Sequence, residues 1–132
     1  MSQSFFRRLF PRLGTKTGEG WLSSGSDSLQ LHLADGSTIA VTFRDIGAIH
    51  AFKRDELTTD MVWLRIEYNS SGSTAALEIH EELPGFEDLM LRLEALPDFD
   101  RTWRQKALLP AFRTEWTKIY DRDNGPGLSE PA

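Results

Sequence analysis

Ser28-Leu-Gln-Leu-His-Leu-Ala-Asp-Gly-Ser-Thr-Ile-Ala-Val-Thr-Phe43 alternates apolar and polar side chains about a central break. Leu29, Leu31 and Leu33 alternate with Gln30 and His32, the period of a half-buried strand. Asp35-Gly36 supplies a tight turn, because both residue types tolerate the positive φ of a type I′ hairpin. Ile39, Val41 and Phe43 form the returning strand, with Thr38, Ala40 and Thr42 facing away. The hairpin therefore has one apolar face, which the rest of the chain must cover.

Reading outward, residues 14–28 are rich in Gly, Ser and Thr and read as a linker, and Arg44-Asp45 reads as a corner. Ile46 to Lys53 is extended, but its inward phase is ambiguous, and Arg54 to Thr59 reads as a polar loop. Val62, Leu64, Ile66 and Tyr68 mark another strand, with Trp63, Arg65 and Glu67 on its opposite side. A turn at Asn69-Ser-Ser-Gly72 leads to a strand carrying Ala75, Leu77 and Ile79. The period then becomes helical: Phe86, Leu89, Met90, Leu93 and Leu96 share one face, Glu87 and Asp88 suit the N-terminal end, and Pro97 closes the segment. Residues 100–107 read as a short helix carrying Trp103, and residues 111–120 as an added edge strand. The expected fold class is α+β, an antiparallel β meander forming a partly open barrel capped by a C-terminal amphipathic helix. The expected organisation is a basic arm over 1–18, a single domain over 19–120 and a flexible tail over 121–132.

The chain has 132 residues, enough for one self-sufficient core. It contains no cysteine, which excludes disulfides, thiol catalysis and thiolate metal sites. The net charge is −5, and this acidity argues against nucleic acid as a partner. The charge is uneven: Arg7, Arg8, Arg12 and Lys16 give residues 1–18 a charge of +4, with no acid among them. No apolar run reaches the ~20 residues that span a bilayer, and the N-terminal stretch lacks the apolar centre and cleavage site of a secretory signal.

The stretch Ser37-Thr-Ile-Ala-Val-Thr-Phe-Arg-Asp-Ile-Gly-Ala-Ile49, with Ala51-Phe-Lys-Arg-Asp-Glu-Leu-Thr-Thr-Asp60 and Glu81-Glu-Leu-Pro-Gly-Phe86, resembles small uncharacterised bacterial proteins with a pleckstrin-homology-like fold. The resemblance covers roughly residues 28–97 and implies a binding scaffold rather than an activity. It does not extend to a phosphoinositide headgroup site, because Ser23 to Thr38 contains Asp27 and Asp35 and no base.

No side-chain constellation implies catalysis. His80-Glu-Glu-Leu-Pro84 has proline where a zinc-protease helix needs its second histidine, so His80 reads as a solvent-side strand residue. His32 falls on the polar side of its strand, and His50 lacks a partner at diagnostic spacing. Asp55, Glu56 and Asp60 lack the alternation, glycine and closing glutamate of a calcium loop. There is no nucleophile elbow and no phosphate-binding glycine motif. The expectation is therefore a non-enzymatic cytoplasmic module without cofactor or metal, recognising a protein partner in an inhibitor- or immunity-like manner. Its expected contacts are Trp63 and Arg65, assisted by Asp55, Glu56 and Asp60. Trp63 is either open for docking or covered within the chain by Trp103 or the 111–120 segment. The alternative is peripheral membrane association through Phe5, Phe6, Arg7, Arg8 and Arg12. The arm's Phe10 and Leu13 have two other fates, packing on the domain or on another subunit of a homo-oligomer. A small-ligand enzyme built around His50 or His80 is the remaining class.

Overall fold

The computed structural model describes residues 20–55, 60–107 and 116–124. Within them the chain is α+β and antiparallel, with two sheets and two short helices. The first sheet has the order β1-β2-β3, from Trp21–Ser24, Ser28–His32 and Thr38–Thr42. The second has the order β6-β5-β4-β7, from β4 Ile46–Asp55, β5 Asp60–Ser70, β6 Ser73–His80 and β7 Thr117–Asp121. A single 3-10 turn, Phe43–Asp45, makes the corner between the sheets.

The β2–β3 hairpin closes differently from the type I′ expectation. Gly36 N–H donates to the Leu33 carbonyl, and Leu33 N–H donates to Ser37, so the connection is a five-residue loop. Only Gly36 has positive φ there, at 93°, while the Asp35 carboxylate accepts from Ser37 N–H as an Asx turn. The ambiguous phase of β4 also has a physical cause. The register slips at Gly47, a β-bulge that lets Ile46 and Ile49, three apart, both point inward. The expected polar loop begins too early, since β4 runs through Arg54 and Asp55, and Asp55 pairs with Asp60.

Between the sheets lie Leu29, Leu31, Val41, Ile46, Ile49, Leu64, Ile66, Leu77 and Ile79. Helix α1, Phe86–Leu93, closes this core with Phe86, Leu89, Met90 and Leu93, as its spacing predicts. Helix α2, Trp103–Ala107, inserts Trp103 on the same side, its indole N–H donating to Glu94 at 3.3 Å. The capping helix is not the final element. The chain continues through α2 to β7, which adds beside β4 as the expected edge strand, and a 3-10 turn over Arg122–Asn124 follows. The last described element ends at Asn124. Among the described residues no helix is long and apolar enough to cross a membrane.

Candidate functional site

Strand alternation gives the second sheet an outward face, away from the core. Cross-strand register assembles it in rows. Phe52 pairs with Trp63 and Trp63 with His80; His50 pairs with Arg65 and Arg65 with Glu78; Ala48 pairs with Glu67 and Glu67 with Ala76. At the other edge Lys118 pairs with His50. The result is an aromatic row against a charged row, joined by cation–π contacts. The Arg54 guanidinium lies 4.3 Å from the Trp63 ring centre and 5.3 Å from that of Phe52. Trp116 stacks on Phe52 at 4.9 Å, and the Arg65 guanidinium lies 4.8 Å from its ring.

Trp63 stands on the face its phase predicts, but it is not an open docking anchor. It is 6% exposed, covered by Phe52, His80 and Arg54. Trp103 is on the other side of the sheet in the core. Trp116, from the 111–120 segment, covers Phe52 and Arg65 instead and remains 44% exposed itself. His80 is also buried, contrary to the solvent-side expectation. It packs against Trp63, and its Nδ1 accepts the Glu82 N–H. Asp55 and Asp60 face one another in register at the hairpin end, while Glu56 and the whole arm with Phe5, Phe6, Arg7, Arg8 and Arg12 lie outside the described residues.

Two carboxylates balance the arginines. Glu78 is almost wholly buried, 3.3 Å from Arg54, and Glu67 lies 3.3 Å from Arg65. Burial pushes the Glu78 carboxyl above its ordinary range, against the pull of Arg54 and Arg65. Burial likewise holds the His50 imidazole below 6.5; Glu67, 4.0 Å away, opposes this, and Lys118 and Arg65 reinforce it. The fold therefore favours neutral His50. Its contribution is present above the ordinary value of 6.5 and is lost as pH falls through the lower folded value. Urea titrations of the wild type should show midpoints that drop as pH falls below 6.5, and the drop should be shallower in His50→Gln; parallel profiles would refute this assignment.

Phe52, Arg54 and Glu78 were not singled out by sequence reasoning. One signal was present: a hairpin closed at Asp55 and Asp60 pairs 52 with 63 and 50 with 65, placing a second aromatic beside Trp63. Elsewhere, a 780 Å³ cleft lies between β1 and α1, lined by Leu22, Ser24, Phe43, Leu91 and Arg92 among others. Among the described residues no three His, Asp or Glu side chains are grouped to hold a metal. Comparison with family models, curated proteins and solved structures finds no match to this chain.

Proposed function

We propose that the chain is a non-enzymatic, pleckstrin-homology-like recognition module that docks a protein partner on the Trp116 rim of the second sheet. Support for the fold type comes from two antiparallel sheets of a meander with one amphipathic helix closing the core. The departure is β7, which follows the helix. The observation that carries the reading is the half-exposed Trp116, stacked on a buried Phe52 and an Arg65 guanidinium, with exposed Arg54 and Lys118 on the same face. Tryptophan and arginine dominate interface hot spots, and a base already packed within the chain loses little freedom on binding. The chemistry fits a partner that presents an apolar side chain to Trp116 and carboxylates to Arg54 and Lys118. Against catalysis at His80, its Nδ1 is occupied by a backbone N–H.

The test is differential capture from a lysate of the producing cells by wild type, Trp116→Ala and Arg54→Ala. A specific partner should be retained by the wild type and bind Trp116→Ala roughly thirtyfold more weakly, the scale of a hot-spot truncation. Thermal unfolding checks that the variant is folded. Identical capture by all three proteins, with folding intact, rejects this surface.

A further inference from the structure

Strand β1 is an outer strand of the first sheet, and its edge is unused. Backbone groups of an antiparallel strand face alternately toward and away from the neighbouring strand. Leu22 N–H faces away from β2, since it donates to the Pro84 carbonyl, while Gly25 N–H faces β2 and donates to the Ser28 carbonyl. Ser24, two residues after Leu22, therefore also faces away. Among the described residues its N–H and carbonyl have no backbone partner, and its Oγ is buried without a hydrogen bond. An edge of this kind is a template for an added strand. The space beside it is open. β1 and α1 meet where Leu22 touches Pro84 and Gly85, and beyond that junction the 780 Å³ cleft lies between them. Ser23 and Ser24 form one wall, and Asp88, Leu91 and Arg92 form the other. Leu91 is 71% exposed, whereas the remaining large apolar side chains of α1 are in the core. A second cleft, of 670 Å³, shares Ser26, Phe43 and Leu96 with the first, so the two adjoin. Two cations, Arg44 and Arg122, and one acid, Asp27, line that second part. Among the described residues Arg44 makes no ion pair, and Arg122 reaches Asp123 only at 3.9 Å.

We propose that this groove binds an extended peptide segment of another protein, one that adds to the free edge of β1 and carries an acidic side chain beyond an apolar one. The main chain of the peptide pairs with the N–H and carbonyl of Ser24, and β-strand addition of this kind gives affinity through the backbone and specificity through the flanking pockets. The unbonded Ser24 Oγ loses nothing by turning to the same occupant, because it has no partner inside the fold to leave. An apolar side chain packs between Leu91 and Phe43. An Asp or Glu side chain meets Arg44 and Arg122, whose charge exceeds that of Asp27, while Asp88 and Arg92 balance one another on the helix wall. A backbone donor and acceptor side by side match a peptide group and have no counterpart on an acyl chain. The inference is independent of the Trp116 rim, which lies on the outward face of the other sheet.

The test selects a phage-displayed library of random hexapeptides on the full-length protein and maps each winner, synthesised with both ends capped, by backbone amide shifts. Winners should join an apolar residue to an Asp or Glu. They should shift the amides of Ser23, Ser24, Leu91 and Arg92, with the Ser24 amide proton moving downfield as it gains a hydrogen bond. Leu91→Glu and Arg44→Ala alter exposed side chains, so both variants should keep the wild-type circular dichroism. Each should weaken the winning peptides about tenfold or more. No enrichment over the unselected library overturns the proposal, as do winners rich in Lys and Arg, shifts confined to the second sheet, or full binding by both variants. Sodium laurate that shifts the same amides when no peptide is selected would assign the groove to an acyl chain and overturn it as well.

Discussion

Replacing Gly85 with alanine should cost about 3 kcal/mol or more of unfolding free energy, against about 1 kcal/mol for the same change at Gly36. Both glycines have positive φ, 91° and 93°, so both variants carry the conformational penalty of a side chain in left-handed backbone. Their surroundings separate them. A Cβ at Gly36 meets nothing within 4 Å, whereas at Gly85 it falls on the Leu22 carbonyl oxygen, with the carbonyl carbon 2.8 Å away. Backbone cannot rotate aside as a side chain can. Relief requires moving either β1 or the start of α1, and these are coupled by the Leu22-to-Pro84 hydrogen bond. Gly85 is also the residue before the first turn of α1, so a shift there displaces Phe86 and Leu89 from the core. Denaturant titrations of the wild type and both variants measure the difference. Equal losses at the two positions would mean that the close approach between β1 and α1 is not a feature of the folded protein.

That contact also marks how far the sequence could be read. The helical stripe from Phe86 to Leu93 and the period-two hairpin from Leu29 to Val41 were legible because each repeats within one element. Gly85 was not, since its constraint comes from a carbonyl more than sixty residues earlier. The same reasoning covers Trp63. Its side of the sheet follows from alternation alone, but its burial depends on Phe52 beyond a bulge, on Arg54 across a hairpin and on His80 in the next strand. A bulge inserts one residue without a composition signal strong enough to date it, so Ile46 and Ile49 hid the phase that would have set Phe52 beside Trp63. Trp116 lies further still, in a strand that returns after both helices to pair with β4. Local periodicity yields elements; the outward cluster is made of contacts between them.

The charged row inside that cluster yields the second large effect. Arg65→Met should destabilise the fold by about 3 kcal/mol, because it withdraws a cation from two carboxylates on one sheet face. Glu78 has almost no access to water, and Glu67 loses the guanidinium 3.3 Å away. Arg54 remains beside Glu78, but it is itself well exposed and occupied with Trp63, so it compensates only in part. The pH dependence identifies the carboxylate responsible. Glu78 sits above its ordinary value of 4.5 through burial, and without Arg65, whose charge lowers it, the folded value rises further. The folded state then holds a proton more readily than the unfolded one, so stability declines as pH rises from 4.5 through the folded value and the full penalty stands above it. The deficit of Arg65→Met relative to wild type should therefore shrink as the solution is acidified toward 4.5. Adding Glu78→Leu to Arg65→Met should recover much of the loss at neutral pH, since an apolar residue of similar reach replaces an unpaired buried charge. The difference in tryptophan fluorescence with and without an added Trp116→Phe change follows the local rim, while circular dichroism follows the whole fold. A deficit that is constant with pH, or a double variant no more stable than the single one, would place the role of Arg65 in its stacking on Trp116 rather than in neutralising Glu78.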